Sequence, residues 1–260
     1  MSLDTNPMAA AHDDWEQHWR HYAEAAARNP AQRYRRKLVC AALRRFGCSA
    51  DAKILDIGSG QGDLAVDLRT AFPQARIAGL ELSAAGVREA AHKVPDAQFL
   101  QRDLLASGVN PGDLREWADY AICSEVLEHL DEPRRLLENA EDYLARGCRL
   151  VVTVPGGPQS EFDRHIGHRR HYDPAALRTL LTSAGFQVEL ATTAGFPFFN
   201  LYRTVVILRG RRLIQDVQSG ADGSSQWLAR SAMALFHPLF ALNLSGTGLG
   251  WQTIAVAVKR

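Results

Sequence analysis

Three glycines alternate with other residues in the stretch ILDIGSGQGD, which spans residues 54–63. The stretch begins with a short apolar run, which predicts that the glycines form the turn between a buried strand and a helix. Glycine reaches positive φ values and leaves bare backbone that a ligand can approach closely. We therefore expect a nucleotide-like ligand across Gly58, Gly60 and Gly62, with Asp56 placed to orient a cationic ammonium group of that ligand.

Acidic residues around this turn indicate which nucleotide binds. The dinucleotide fingerprint G-x-G-x-x-G ends in glycine, whereas the sixth position here is Asp63. A carboxylate at a helix N-terminus would repel a pyrophosphate, so the ligand should lack phosphate. Glu81, about 20 residues further on, can accept hydrogen bonds from both ribose hydroxyls, which fits NAD and S-adenosylmethionine alike. Asp103 can accept one from an adenine amino group. Ribose, adenine and an amino-acid tail without phosphate together describe S-adenosylmethionine.

The run SEVLEHL, residues 124–130, offers a base for methyl transfer. In-line displacement needs the nucleophile, methyl carbon and sulfur to be aligned, and a weak nucleophile must also lose its proton to a base, often histidine. Glu125 and His129 are four residues apart and would share one face of a helix, so Glu125 could orient His129 as the base. The alternative is a helix cap and a core histidine.

A second group of candidate bases follows the fifth apolar run. It is the stretch HIGHRRHYD, which contains His165, His168 and His171. We expect this stretch above the carboxyl edge of the sheet, over the substrate, with His168 and His171 as candidate catalytic residues. Arg169 and Arg170 could bind an acidic substrate. The alternative is a structural loop whose histidines bond to the backbone and whose arginines face water.

The elements that must position these residues follow from the hydrophobic pattern. Seven short apolar runs predict strands at 53–58, 76–82, 97–103, 120–126, 148–155, 186–194 and 250–260. Amphipathic segments separate most of these runs and predict helices. The alternation indicates an α/β fold: a doubly wound, Rossmann-like, mostly parallel sheet with helices on both faces. Such sheets bind ligands beyond the carboxyl ends of their strands, where the glycine turn lies.

Four segments follow from the same pattern. Residues 1–46 are predicted to form an N-terminal helical lid, with a break at Asn29-Pro30, and residues 47–195 the cofactor-binding core. Residues 196–248 are predicted to form a helical substrate cover inserted before the last strand, which spans 249–260. The aromatic and apolar residues of the cover favour an apolar or aromatic small-molecule substrate, and the arginines would suit an acidic group on it.

Bulk composition limits the class of protein. The 260 residues carry a net charge of +1, which argues against nucleic acid as the main partner, and a chain of this length can bury its own core. Four cysteines without a C-x-x-C pair predict reduced, mostly buried thiols in a cytoplasmic protein. We expect no signal peptide, and the apolar stretch 232–242 is too short to be a transmembrane segment. The sequence sets no oligomeric state.

Five motifs together resemble those of the class I S-adenosylmethionine-dependent methyltransferases. ILDIGSGQGDLA, GLELS and QRDLL are similar to the first three motifs of that family, and YAICSEVLEHL and LVVTVPGG to the next two. GHRRHYDPAALRTLLTSAGFQV is similar to a basic, histidine-containing run in a bacterial branch of small-molecule enzymes. The resemblance covers about residues 50–195, and it implies a seven-stranded sheet whose last strand is antiparallel.

The resemblance also implies contacts to S-adenosylmethionine. Contacts to its methionine part and sulfonium end are implied for Gly58, Gly60, Gln61 and either Ser124 or Glu125. Contacts to its nucleoside are implied for Glu81 at the ribose with Leu82 beside it, and for Asp103 and Leu104 around the adenine. In the N-terminal segment, Tyr22, Tyr34 or Arg36 would reach the cofactor carboxylate.

A metal site is a weaker alternative. Glu125, Glu128 and His129 form an E-x-x-E-H triplet, and a similar triplet binds magnesium in the ubiquinone-pathway O-methyltransferases. The surrounding residues do not match that branch well. Zinc is disfavoured at the second histidine group because no cysteine is near and the spacing is irregular. The sequence therefore predicts no metal.

The sequence as a whole predicts a methyltransferase that uses S-adenosylmethionine and a histidine base to methylate a small molecule. A hydroxyl oxygen is the favoured acceptor, and carbon and nitrogen stay open. The candidate catalytic residues are His129, His168, His171 and Glu125. Two alternatives remain: a nicotinamide-dependent oxidoreductase, against which Asp63 counts, and a non-catalytic cofactor-binding protein, against which the candidate bases count.

Overall fold

A computed structural model describes residues 29–218, 236 and 238–260. The helix predicted before Asn29, with Tyr22, and much of the predicted cover lie outside these residues. The elements in chain order are α1 (Pro30–Arg45), β1 (Lys53–Ile57), α2 (Asp63–Ala71), β2 (Arg76–Glu81), α3 (Ala84–Lys93), β3 (Gln98–Gln101), β4 (Ala118–Ser124), α4 (Pro133–Glu141), β5 (Leu144–Pro155), α5 (Glu161–His165), α6 (Pro174–Ser183), β6 (Gln187–Phe196), α7 (Phe198–Gln218), β7 (Leu244–Ser245) and β8 (Gln252–Val258).

One sheet contains every one of these strands, in the order β3-β2-β1-β4-β5-β8-β6-β7. Strands β1 to β5 pair in parallel, and β8 runs antiparallel to both β5 and β6. The predicted α/β doubly wound sheet with an antiparallel last strand is therefore confirmed. The count is eight rather than seven because Leu244–Ser245 pairs with the end of β6.

Helices cover both faces of the sheet, because successive side chains of each strand point to opposite faces. In β1, Ile54 lies in one apolar cluster, whereas Leu55 and Ile57 lie in the other. The Ile54 cluster includes Leu43 of α1 and residues of α2, and the other cluster includes residues of α4 and α6. The second half of α1 thus packs on the sheet as part of the layered core.

Side-chain caps explain where two of these helices begin. Asn29 accepts a hydrogen bond from the backbone N–H of Ala31, and Pro30 occupies the first turn of α1. Asp173 accepts one from Ala176, and Pro174 begins α6. Proline suits this position because its missing N–H would be unpaired there in any case. The predicted break at Asn29-Pro30 is therefore the start of α1.

The described part of the predicted cover packs on α1 through aromatic rings. Tyr34 of α1 lies 5.3 Å from Phe199 of α7 and 5.4 Å from Phe240, measured between ring centroids. Tyr202 and Phe236 extend the same cluster. The boundaries of lid and cover stay predictions.

The sheet has its switch point between β1 and β4. Ile57, at the end of β1, pairs with Leu80 of β2 on one side and with Cys123 of β4 on the other. The chain winds outward to β3 and then returns to β4, which opens a crevice at the carboxyl ends of these strands. The glycine turn and the SEVLEHL run both leave the sheet at this crevice.

Two smaller expectations concern the thiols and the membrane. All four cysteines are free, and Cys40, Cys123 and Cys148 are buried, as predicted. Among the described helices, none is long and apolar enough to cross a bilayer.

The packing of α1 on the sheet can be tested with one substitution. Leu43 is fully buried, so we expect Leu43→Ala to lower the free energy of unfolding by about 2–5 kcal/mol through lost contacts and a cavity. Leu208 is 81% exposed, so Leu208→Ala should change it by less than about 0.5 kcal/mol. Urea unfolding measures both, and equal effects would contradict a core position for Leu43.

Candidate active site

The glycine turn after β1 is held against two neighbouring elements. Gly58 and Gly62 have φ values of +77° and +78°. A Cβ on Gly62 would lie 2.8 Å from the Cα of Ala90, and one on Gly58 would overlap the side chain of Val126. Both positions therefore require glycine for backbone conformation and for space.

Glu81 fixes the shape of this turn from the end of β2. Its Oε2 accepts a hydrogen bond of 2.8 Å from the backbone N–H of Gly60, and its Oε1 accepts one of 2.9 Å from that of Ser83. The side chain is buried. Its structural role at Gly60 was not apparent from the sequence.

Three buried polar atoms of residues in or beside the turn have no hydrogen-bond partner among the described residues. They are Asp56 Oδ2, Ser59 Oγ and Gln61 Nε2. Buried polar groups are nearly always satisfied in folded proteins, by protein, water or ligand. An acceptor, a hydroxyl and a donor left unpaired at one turn indicate a polar ligand. The sequence predicted Asp56 and Gln61 here but missed Ser59.

Asp56 has a perturbed acidity. Burial, together with the nearby charge of Glu81, raises the pKa of Asp56 to about 7. The carboxyl is therefore partly protonated at neutral pH. A ligand cation beside it would favour the ionised form.

The predicted nucleoside contacts lie at the ends of the next two strands. Leu82, after β2, is exposed and offers an apolar surface beside Glu81. Asp103, after β3, is exposed, and its Oδ1 accepts a hydrogen bond from the N–H of Leu105. Leu104 is buried in the core cluster. Leu82 and Asp103 thus present groups at the crevice, whereas Leu104 packs inward.

The segment after β4 differs from the predicted helix. Glu125 has a φ of +58°, and only Leu127–His129 form a short 3-10 turn. The helix-face argument that paired Glu125 with His129 therefore fails, because the positive φ turns the chain before the 3-10 segment begins. Ser124, the last residue of β4, shares a hydrogen bond of 2.7 Å between its Oγ and Thr153 Oγ1.

A buried network engages Glu125 instead. Its Oε2 lies 2.9 Å from Nε of Arg35, and its Oε1 accepts a hydrogen bond from Nε2 of Gln252. Gln252 also accepts from Arg35 and donates to the carbonyl of Val154. Arg35 and Gln252 stand in α1 and β8, and no sequence motif marked either of them.

Three of the candidate histidines come together beyond β4 and β5. The Nδ1 of His171 lies 3.1 Å from the carbonyl oxygen of Gly157, and its Nε2 lies 3.2 Å from Nδ1 of His168. The rings of His168 and His129 meet edge to face, with centroids 4.7 Å apart. His165 is exposed at the end of α5. The two predicted groups thus form one cluster that contains His129, His168 and His171.

This hydrogen-bond chain sets the tautomers of two rings. The carbonyl of Gly157 can only accept, so His171 donates from Nδ1, and burial lowers its pKa and favours the neutral ring. The Nε2 of neutral His171 then accepts from Nδ1–H of His168. The lone pair of His168 consequently lies on Nε2. Burial, and next the charge on His129, lower the pKa of His168 to about 2 and keep its ring neutral.

Asp163 supports the cluster from α5. Its Oδ2 accepts from the N–H and the hydroxyl of Ser160 and lies 2.7 Å from Nη2 of Arg203. Burial acts to raise the pKa of Asp163, but Arg203 and Ser160 hold it below its usual range. Asp163 also lies 3.9 Å from the nearest nitrogens of His168 and His171. Sequence reasoning missed Asp163 and Arg203, because neither belongs to a motif.

Other candidates have partners elsewhere. Arg36 forms an ion pair of 2.6 Å with Asp67, and Tyr34 lies in the aromatic cluster described above. Arg169 and Arg170 are exposed, and both contact Asp131.

Comparisons with known proteins give the family. Residues 31–191 match the family described as a methyltransferase domain. The trans-aconitate 2-methyltransferase of Paracidovorax citrulli is 30% identical over 122 residues, which are 47% of this chain and 46% of that protein. The corresponding enzyme of Methylobacterium nodulans is 26% identical over 214 residues, which are 74% of this chain and 81% of that protein.

A solved structure with the same fold is phosphoethanolamine N-methyltransferase 2 of Haemonchus contortus in complex with S-adenosyl-L-methionine. It gives a TM-score of 0.54 at 18% identity and covers 84% of this chain and 51% of that chain. The region matched by the family spans the glycine turn and all three clustered histidines. The chain spans about half the length of the first relative above.

Because the pKa of Asp56 is raised, replacing this residue should increase the free energy of unfolding by an amount that depends on pH. Its pKa is near 4 in an unfolded chain and about 7 in the fold. The contribution of this carboxyl to the free energy of unfolding is therefore fully present below about pH 4 and is lost as the pH rises through 7. The total loss is up to about 4 kcal/mol. We expect Asp56→Asn to be more stable than the parent at pH 8. At pH 5 this difference in stability should be much smaller.

Urea unfolding at both pH values measures the difference. Asp113→Asn, at an exposed aspartate, is the matched control and should show no such change. A stability difference for Asp56→Asn that is the same at pH 5 and pH 8 would contradict the raised pKa.

Proposed function

The chain belongs to the class I S-adenosylmethionine-dependent methyltransferases, and on that basis we propose that it transfers a methyl group to a small-molecule acceptor. The favoured acceptor atom is a hydroxyl oxygen, with carbon or nitrogen as alternatives. The reaction is an in-line displacement at the methyl carbon, in which the acceptor bonds to that carbon as its bond to sulfur breaks.

One observation carries the cofactor assignment. The unpaired Asp56 Oδ2, Ser59 Oγ and Gln61 Nε2 belong to the glycine turn, and α2 begins after it with Asp63 instead of the third glycine of the dinucleotide fingerprint. Asp56 would bind the ammonium group of the methionine part, and Gln61 would donate to its carboxylate. Glu81 would accept from the ribose hydroxyls, and Leu82 and Asp103 would flank the adenine.

We propose His129 as the general base. Its neighbour His168 is held neutral and oriented by His171 and the carbonyl of Gly157, so the acceptor proton would pass to His129. Ser124 and Glu125 would lie at the sulfonium end. Glu125 acts there by fixing the backbone through Arg35 and Gln252 rather than by orienting His129.

The acceptor class is proposed from two features. The relatives are named for trans-aconitate, an acidic small molecule, and the exposed apolar residues Leu201, Val205 and Leu208 of α7 suit an apolar or ring-bearing portion. We therefore propose an acceptor that combines an apolar or aromatic part with an acidic group. Mass-spectrometric detection of methylated products over a panel of hydroxy acids, aromatic acids and trans-aconitate tests this class.

Calorimetry with two cofactors tests the assignment against the nicotinamide alternative. We expect S-adenosylmethionine to bind and NAD to show no measurable binding. Affinity for S-adenosylmethionine should rise from pH 6 to pH 8 as Asp56 ionises, since the ionised form attracts the ammonium group. In Asp56→Asn this rise should be largely absent. Binding of NAD alone would overturn the proposed function.

Substitution of His129 tests the base. Positioned acid–base groups typically contribute about 10²–10⁴-fold to a rate, so we expect His129→Ala to lower kcat by at least about 100-fold. The dissociation constant of S-adenosylmethionine should change less than about threefold, because His129 does not line the glycine turn. His92→Ala, at the exposed end of α3, is the control. An unchanged kcat would remove His129 from the mechanism.

A further inference from the structure

Glu128 is a buried carboxylate that nothing in the proposed reaction uses. Its side chain is fully buried, and neither carboxylate oxygen has a hydrogen-bond partner within residues 29–218, 236 and 238–260. Burying an unpaired carboxylate is costly, so such a group is normally matched by a cation, a hydrogen bond or a metal ion. The surroundings of Glu128 show which of these fits.

The two nearby buried arginines are bonded to other carboxylates. Arg35 pairs with Glu125 at 2.9 Å and also donates to Gln252. Arg203 pairs with Asp163 at 2.7 Å. Two imidazoles have suitable atoms near Glu128, since one ligand atom each from Glu128, His129 and His168 lies within 4.8 Å of the other two.

We propose that Glu128, His129 and His168 bind a divalent transition-metal cation, with Zn²⁺ the best match. Two imidazole nitrogens and one carboxylate oxygen form a donor set that zinc takes readily, with a fourth position left for water or a ligand. Ligand atoms of a tetrahedral zinc ion lie about 3.3 Å apart, for bonds of about 2.0 Å. Zinc binding would therefore draw together three ligand atoms that now lie within 4.8 Å of one another.

The hydrogen-bond chain behind His168 supports this assignment. Histidines that bind metal almost always donate their other ring N–H to an acceptor, which fixes the ring and its tautomer. Here Nδ1–H of His168 donates to His171, which in turn is fixed by Gly157. The lone pair on Nε2 of His168 is therefore oriented before any cation binds.

The sequence predicted no metal, and its weaker alternative was a magnesium site at Glu125, Glu128 and His129. The proposed site differs from both. Glu125, the first member of that triplet, already has Arg35 and Gln252 as partners. His168, from the segment after β5, takes its place, so imidazole replaces a carboxylate and favours zinc over magnesium. Asp163 with His168 and His171 forms a second possible set, but Arg203 already neutralises Asp163.

Metal binding has a consequence that rests on the proposed function. His129 cannot use one lone pair both to hold a cation and to accept a proton from the acceptor. Zn²⁺ should therefore inhibit methyl transfer, and a chelator should restore the rate.

Titration of chelator-treated full-length protein with Co²⁺ or Zn²⁺ tests the site directly. Co²⁺ should give the visible absorption of a tetrahedral complex, and calorimetry with Zn²⁺ should show one tight site. We expect Glu128→Gln and His168→Gln each to weaken Zn²⁺ binding at least about 100-fold. The matched controls Glu89→Gln and His92→Gln, on α3, should bind Zn²⁺ as the parent does.

Circular dichroism and S-adenosylmethionine binding establish that each variant is folded. If either Glu128→Gln or His168→Gln fails to fold, the other variant still tests the site. Parent-like Zn²⁺ binding by both ligand variants, or no tight site in the parent, would overturn the metal proposal and leave the methyltransferase proposal intact.

Rate measurements separate the two proposals. Inhibition of the parent by Zn²⁺ that is much weaker in His168→Gln supports both the site and the base. A different pair of results would be a tetrahedral Co²⁺ spectrum in the metal-loaded parent and loss of turnover in the chelated parent. The metal site would then stand, and the role of His129 as base would be wrong.

Discussion

The carboxylate of Glu81 is the constraint on which the rest of the site depends. It reaches from the end of β2 to the backbone N–H of Gly60 and so closes the glycine turn against the neighbouring strand. With the turn in this shape, Asp56 and Gln61 are buried yet keep unpaired polar atoms. The contact also places two carboxylates near each other, which contributes to the raised pKa of Asp56. One hydrogen bond thus shapes the turn and sets its electrostatics.

Four carboxylates near the crevice, besides Glu81, fall into two kinds. Glu125 and Asp163 have arginine partners and hold segments of the chain in place. In the described structure no ion pair or hydrogen bond reaches Asp56 Oδ2 or either oxygen of Glu128. A paired buried charge is tolerated because its partner replaces water, whereas an unpaired one favours neutral or cation-bound forms. The first kind builds the site, and the second kind gives it affinity for positive groups.

Much of the fold could be predicted from the sequence, because strand and helix periodicities are local. All seven predicted strands form, and the glycine turn lies directly after the first of them. The network of Arg35 and Gln252 could not be predicted, since it joins α1 to β8 and depends on the order of strands in the sheet. The conformation after β4 was mispredicted because a non-glycine residue, Glu125, adopts a positive φ that local propensity disfavours.

The positive φ of Glu125 has a physical compensation in this network. A non-glycine residue in the left-handed region is strained by about 1–3 kcal/mol and persists only when its surroundings fix it. Bonds from Arg35 and Gln252 to both carboxylate oxygens supply that fixation. The turn they hold directs Leu127–His129 toward the segment that follows β5, which brings His129 against His168. The histidine cluster therefore depends on a contact with α1, so the first described helix contributes to the chemistry of the site without reaching into it.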